Sequence, residues 1–387
     1  MTAASPVRFR VVAVDGAARA GVLETPHGEV PTPTFMPVGT YGCVKTLTPA
    51  EVAATGARVV LGNAYHLGLR PGAEAVAALG GLHAWTRWPH AMLTDSGGYQ
   101  AYSLAGSCSL SDEGFVFRSH LDGARSELTP EEAVRVQRLL GADVAMQLDV
   151  CPAAEAPRAE IERACRLTTA WGRRSLEARR VADDRDGPAP QALFGIVQGG
   201  GDAALRRAHA EEIAALPFEG LALGGFSVGE PADAMHEVLA ATAPALDATR
   251  PRYLMGVGTP VDLVRAIGAG VDMFDCVLPT RNARNGQALL APAHGGGRRV
   301  VKNARYKSDP EPLAPGCACP CCRGGYSRAY LRHLFLSGEM LVLRLLTQHN
   351  LHLYGELTRA AREAVVEGRF EAWRRAWLAP PGEDEGS

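Results

Sequence analysis

Nowhere in the 387 residues does an apolar run approach the ~18–20 residues that a membrane-spanning helix requires. Met1 to Pro6 have no basic start leading into an apolar stretch, which excludes a secretory signal there. An excess of one charge is lacking too: 40 Lys and Arg stand against 42 Asp and Glu, a formal net charge of −2. That balance excludes nucleic-acid binding through overall charge, so any such affinity must come from a local patch. Together these absences predict a cytoplasmic protein with no membrane association. Nine cysteines in a chain without a secretory signal imply reduced thiols and, where they cluster, metal. Cys43, Cys108, Cys151, Cys165 and Cys276 are scattered and read as small buried hydrophobes. The other four lie between Cys317 and Cys322.

What is present is an α/β pattern. A composition of 47% hydrophobic and 21% charged residues fits a globular chain with a substantial core. The length suits two or three domains, or one barrel with an appendage. One cassette recurs three times: Thr48-Pro49-Ala50-Glu51, Thr129-Pro130-Glu131-Glu132 and Thr259-Pro260-Val261-Asp262. Each combines a threonine N-cap, a proline pre-set for the first helical position, and an acid at the third to answer the orphan N–H groups. Gly56, Gly141 and Gly268 then close the helices, and a short apolar strand follows each. Helix followed by buried strand, repeated, is the signature of a parallel sheet. Apolar runs place eight core strands near residues 34–37, 58–61, 91–93, 144–148, 193–197, 220–223, 252–255 and 271–274. Eight strands predict a (β/α)₈ barrel. Residues 9–14 and 20–23 read as a β-hairpin ahead of it, 181–190 as a polar loop and 380–387 as a frayed tail.

The polar residues that end these strands are the informative ones. Asp95 stands after the third strand in Thr94-Asp95-Ser96-Gly97-Gly98-Tyr99-Gln100, and Asp149 after the fourth. Gln198-Gly199-Gly200, Gly224-Gly225, Gly256-Val257-Gly258 and Asp275-Cys276 follow the fifth to eighth. In a parallel barrel all these points converge on the C-terminal rim, where such folds place their active sites. A single aspartate after a strand is often only a helix cap. Polar groups delivered by several strands, beside glycines that let backbone approach, describe a pocket for a flat polar ligand. Asp275 and Asp95, on strands eight and three, are the carboxylate pair that glycosidic chemistry needs: one attacks the anomeric carbon, the other manages the proton of the leaving base.

Cys317-x-Cys319-x-x-Cys322 sets three thiols within six residues, too close for mutual disulfides and suited to one tetrahedral zinc. His333, His349 and His352 are candidates for the fourth ligand, and Cys321 could stand in for Cys322. Four protein ligands would leave no open position, so the ion is expected to be structural. Upstream, Arg281, Arg284, Arg298, Arg299, Lys302, Arg305 and Lys307 occur without a single acid between 281 and 307. That run is either a solvated loop or a contact for a phosphate backbone.

At this point the chain resembles the tRNA-guanine transglycosylases, or queuine tRNA-ribosyltransferases, of bacterial type. The resemblance rests on the Asp95 motif and on Gly195-Ile196-Val197-Gln198-Gly199-Gly200, Leu223-Gly224-Gly225 and Tyr253-Leu254-Met255-Gly256-Val257-Gly258. It continues through Phe274-Asp275-Cys276-Val277-Leu278-Pro279-Thr280-Arg281, Asn285-Gly286, the cysteine cluster, Ser327-Arg328-Ala329-Tyr330 and Thr347-Gln348-His349-Asn350. It implies a (β/α)₈ barrel that replaces guanine at the wobble position of tRNA with 7-aminomethyl-7-deazaguanine, the prequeuosine base, in queuosine biosynthesis. Asp275 would be the nucleophile on ribose C1′, passing through a covalent ribosyl-aspartate, and Asp95 the general acid/base. The base would contact Asp95, Ser96, Gly97, Gly98, Tyr99, Asp149, Gln198, Gly225 and Met255, with Tyr99 and Met255 against its faces. Gly256, Val257, Gly258, Thr259, Pro260, Val261 and Asp262 would meet the RNA, as would Thr280, Arg281, Asn282, Ala283 and Arg284. Zinc would be held by Cys317, Cys319, Cys322 and His349, and a homodimer is implied.

The expected division is an N-terminal β segment at 1–30 and a catalytic barrel at 31–284 with a closing helix at 350–378. A zinc-binding subdomain at 285–349 and a tail at 379–387 complete it. Val150 stands where the bacterial pattern has an acid, and Phe226 where a smaller aliphatic residue is common, which leaves queuine as an alternative base. A non-catalytic tRNA-binding subunit would not need both aspartates. A barrel hydrolase acting on a small nucleoside would not need the basic run.

Overall fold

Each of the three Thr-Pro cassettes opens a helix. Thr48 and Thr259 form reciprocal capping boxes with Glu51 and Asp262, and the Thr129 side chain accepts from the Glu132 N–H. Gly141 closes the second helix in the left-handed conformation, at φ 72°. The third helix, Pro260–Gly268, runs on through its predicted closing glycine, and the left-handed turn comes at Gly270, at φ 90°. The computed structural model describes residues 7–104, 108–153 and 155–379. The readings of residues 1–6 and 380–387 lie outside these.

Eight parallel strands close into a barrel in chain order. They are β1 (Thr34–Gly39), β2 (Val59–Gly62), β3 (Ala91–Thr94), β4 (Val144–Met146), β5 (Ala192–Val197), β6 (Gly220–Leu223), β7 (Arg252–Leu254) and β8 (Met273–Cys276). Closure is made where β8 pairs with β1, with Asp275 opposite Met36. Met36, Leu93, Met146, Phe194, Ile196, Ala222, Tyr253 and Met273 fill the interior, and a second apolar layer lies between the strands and the surrounding helices. Strand β8 begins two residues later than predicted. The buried Asp272 ahead of it pairs with Arg19, 2.5 Å away, and is spent on fastening the barrel to the N-terminal sheet.

That sheet has three strands, Arg8–Asp15, Ala18–Thr25 and Gly28–Thr32, where a two-stranded hairpin was expected. The third strand escapes a hydrophobic-pattern reading because Gly28, Glu29 and Pro31 leave it only Val30 as an apolar residue; Pro31 is tolerated because the strand is an edge. Leu23 and Val30 join the barrel-interior cluster, so the sheet stoppers the end opposite the C-terminal rim. At the same end Asp143, immediately before β4, holds two imidazoles: His27 Nδ1 at 2.7 Å and His83 Nε2 at 3.1 Å. Their rings stack at 3.5 Å and 7°, and the two nitrogens meet separate oxygens of the one carboxylate. The group is a hydrogen-bonded clamp that ties the sheet to the barrel.

Two further sheets have no counterpart in the sequence reading. Cys108–Leu110, Phe115–Arg118 and Arg125–Leu128 form an antiparallel insert between β3 and β4, and Gln287–Leu289 pairs with Arg298–Val300. The expected polar loop at 181–190 starts later, because the helix Arg158–Asp186 continues through Val181 to Asp186. Charge pairing explains the extension: Arg180 meets Asp184 at 2.6 Å and Arg138 meets Asp183 at 2.5 Å. Among the described residues no helix is long and apolar enough to cross a membrane.

Candidate active site

Asp95 leaves β3 at the C-terminal rim, where its N–H donates to Gly62 O across the strand gap. Asn63 caps the helix Ala64–Leu69 and at the same time donates its Nδ2 to Asp95 Oδ2 at 2.5 Å; the Ala64 N–H donates to Oδ1 at 2.8 Å. Burial pushes the Asp95 carboxyl up to about 7, against the Ala64 N–H, and the charges of Asp275 and Asp149 add to the rise. A carboxyl poised there holds and releases a proton near neutrality.

Asp275 lies within β8 and is buried. The Tyr253 hydroxyl (2.6 Å) and the Gly256 N–H (2.7 Å) both donate to its Oδ1. Among the described residues no group bonds Oδ2. The carboxylate is therefore gripped by one oxygen and free at the other. Burial raises its pKa, opposed by the same two donors. Asp149, after β4, accepts from Gln198 Nε2 at 2.6 Å, and burial pushes it up to about 6. Gln198 Oε1 is buried without a partner, an acceptor the protein leaves unused.

Glycine is required where these loops meet. A Cβ on Gly98 would come within 2.9 Å of Leu148 Cδ1 and 3.2 Å of Asp149 O; one on Gly225, already at φ 67°, would collide with Gln198 Oε1. Ser96 and Gly97 are buried at the same turn, whereas Tyr99 on the helix Gly98–Leu104 is 53% exposed. Met255 is partly buried at the end of β7. Val150 packs among Tyr65, Phe115, Leu148 and Trp171 and lines a 410 Å³ cavity with Gly98, Tyr99 and Cys151. Phe226 is buried, and its ring lies 3.7 Å over the Arg206 guanidinium.

The expected RNA-facing segments divide by burial. Gly256, Thr259, Val261 and Arg281 are exposed, and Pro260, Asp262, Asn282 and Arg284 partly so; Val257, Gly258, Thr280 and Ala283 are buried. Thr259, Val261, Arg281, Asn282 and Arg298 line a 710 Å³ cavity with Trp377. Among the described residues none of the seven cations from Arg281 to Lys307 forms an ion pair. Burial and the neighbouring Arg281 both lower the pKa of Arg284. Unpaired, clustered cations suit an anionic partner.

Cys317, Cys319, Cys322 and His349 bring their ligand atoms within 4.8 Å of one another. His349 Nδ1 lies 3.9, 3.2 and 3.6 Å from the three sulfurs, and its Nε2 is 2.9 Å from Leu289 O, a second contact that fixes the ring. Three thiols and an imidazole with no open side form a closed set that can hold one metal ion. Cys321 is buried in the adjoining apolar cluster and is not among the four, and His333 and His352 lie outside the group.

Sequence reasoning missed Asn63, Tyr253 and Arg206. Asn63 follows β2 directly and is open to the same strand-end argument as Asp95. Tyr253 belongs to one of the family motifs but lies inside a strand, where the strand-end argument does not single it out. Residues 15–381 match the queuine tRNA-ribosyltransferase family. A queuine tRNA-ribosyltransferase of Sorangium cellulosum is 71% identical over 370 residues, covering 96% of this chain and 91% of the relative. Proteins of the same description from Ruegeria sp. (strain TM1040) and Solidesulfovibrio magneticus are each 49% identical, covering 95% and 98% of this chain and 95% and 100% of theirs. The chain belongs to the queuine tRNA-ribosyltransferase family.

Proposed function

We propose that this protein exchanges guanine at the wobble position of tRNA for a 7-deazaguanine base in queuosine biosynthesis, by double displacement. The observation that carries the mechanism is the one-sided grip on Asp275. With Oδ1 held by Tyr253 and Gly256, Oδ2 attacks ribose C1′ as the bond to guanine N9 breaks. Asp95 gives its proton to the departing base. The incoming base then loses its N9 proton to Asp95 and attacks C1′, releasing Asp275. Asp149, Gln198 and Gly225 read the polar edge of the base, while Tyr99 and Met255 cover its faces. The exposed members of 256–262 and 280–284, with the basic run behind them, take the RNA backbone. A non-catalytic subunit would have no use for this carboxylate pair.

Zinc is the ion we assign to Cys317, Cys319, Cys322 and His349, as a structural centre of a unit spanning 285–349 appended to the barrel at 31–284 and 350–378. The segments 1–30 and 379–387 flank these. We further assign a homodimeric, cytoplasmic enzyme. Leu336, Met340 and Leu341, exposed on adjoining helices of the zinc-bearing region, are an apolar surface that a second copy would cover.

The base we assign is 7-aminomethyl-7-deazaguanine. In an exchange assay on tRNA carrying labelled guanine, with this base and queuine in equimolar competition, it should account for more than about 90% of the displacement, a preference of ~1.4 kcal/mol or more. Predominant use of queuine would overturn the base, and release of no guanine with either would overturn the function.

Asp95 predicts a pH dependence. With its pKa raised to about 7 it is protonated below that value, as the first displacement requires. kcat/KM for tRNA should therefore fall about tenfold per pH unit above about 7. Once Asp275 is esterified, its charge no longer holds Asp95 up, and the proton-accepting form needed next is favoured. A profile for tRNA that stays level from pH 6.5 to 8.5 would remove Asp95 from the acid role.

A further inference from the structure

Arg206 is fully buried, and among the described residues it has no carboxylate partner. Its side-chain hydrogen bonds all go to backbone carbonyls: Nε donates to Gly200 O at 2.6 Å, Nη1 to Gly224 O at 2.9 Å and Nη2 to Gly225 O at 3.0 Å. It rises from the first turn of the helix Ala203–Ala214, and Phe226 closes the remaining face of the guanidinium. Burial lowers its pKa to about 10, so it stays charged at neutral pH. A buried cation that clamps the loops after β5 and β6 without a hydrogen-bonded carboxylate is an expensive arrangement for packing alone.

The geometry has a directional consequence. In a trans peptide the C=O of one residue and the N–H of the next point opposite ways. With Gly224 C=O fixed on Arg206, the Gly225 N–H faces away from it, beside the Cys151 sulfur, a weak acceptor. An N–H can pair only with an acceptor; guanine offers N7 and O6 on that edge, and of the two only O6 is shared with a 7-deazaguanine base. A cation on the carbonyl side also polarises the peptide and strengthens its N–H as a donor.

We propose that Arg206 is a positioning residue for base recognition: by holding the Gly224 and Gly225 carbonyls behind the pocket it aims the Gly225 N–H at O6 of the purine. This rests on the base-exchange reading of the site. It also gives the Phe226 ring a task, which is to cap Arg206.

The test compares binding of guanine and of 6-thioguanine, which keeps the N1 proton but has a weakly accepting sulfur in place of O6, to the free full-length protein by equilibrium dialysis. Arg206→Lys keeps the charge but cannot span three carbonyls. It should weaken guanine at least tenfold and 6-thioguanine less than twofold, with the affinity for tRNA unchanged. Equal weakening of both bases, or of neither, would overturn the proposal. Should that variant fail to fold, Phe226→Ala is read the same way: a selective loss for guanine of threefold or more supports the proposal, and an unchanged ratio overturns it. Dialysis needs no turnover, so a wild-type protein that binds guanine yet does not exchange it would count against the function without obscuring the role of Arg206.

Discussion

Asp275→Asn should lower guanine exchange by at least about 10⁴-fold, some 5 kcal/mol of transition-state stabilisation, while leaving the melting temperature and tRNA affinity within experimental scatter of wild type. The substitution is nearly isosteric. Tyr253 and Gly256 both donate to one oxygen, and an asparagine amide can present its own oxygen to them. What then faces the ribose is an NH₂ in place of Oδ2, which has no lone pair available for attack on C1′. The structural contacts of the residue survive and only the nucleophile is lost, which is why activity and stability separate. A second reading is available on the same protein: wild type incubated with tRNA and quenched by denaturant should retain a covalent protein–RNA species, and Asp275→Asn should retain none. Exchange at more than about a tenth of the wild-type rate would mean that the attacking group is another residue, and Asp275 would be left as an electrostatic support.

The barrel and its rim were legible in the sequence because they obey local rules. A Thr-Pro-x-acid cassette can hardly be anything but a helix start, and an apolar run after a closing glycine reads as a buried strand. Asp95 and Asp149 could be placed from such runs alone. Where strands are short and half exposed the same rules say nothing, as at Cys108–Leu110 and Arg125–Leu128, which hold register only by pairing with Phe115–Arg118. The two-residue shift of β8 has a related cause. Asp272 looks like part of an apolar strand in sequence, yet its carboxylate is committed to Arg19, 253 residues away. Non-local pairing likewise hid the supports of the site. Tyr253 acts through Asp275 and Arg206 through Gly224 and Gly225, and neither stands at the strand ends that mark the rest of the site. Phe226 shows the opposite error: a residue near the pocket in sequence whose ring is committed to the back of the loop.

The metal centre yields the second large effect. One zinc per chain is expected, and removing it with a chelator, or replacing Cys319 with serine, should unfold the region around 285–349 while the barrel stays folded. The apolar core of that region is small, built from residues such as Ala288, Leu290, Leu313, Leu331 and Leu346, with the cysteines themselves among them. Cores of this size rarely hold without a staple, and structural zinc contributes apparent binding energies of about 10–16 kcal/mol in isolated zinc modules. The damage should reach the active site by a definite route. His349 is followed by Asn350, whose Nδ2 donates to Pro279 O at 2.9 Å and to Gln287 O at 3.0 Å, and whose Oδ1 accepts from the Leu289 N–H at 2.8 Å. Those bonds seat the helix Leu278–Arg284, two residues beyond the strand that carries Asp275. Loss of the ion should therefore weaken tRNA binding at least tenfold, because Arg281 and Arg284 lose their seat, while guanine binding inside the barrel changes little. Hydrogen exchange should show the split directly, with protection lost across 285–349 and kept in β1 to β8. A zinc-free protein with full protection in that region would show that the four ligands hold no structural ion, and an equal loss of guanine and tRNA binding would show that barrel and zinc region unfold as one unit.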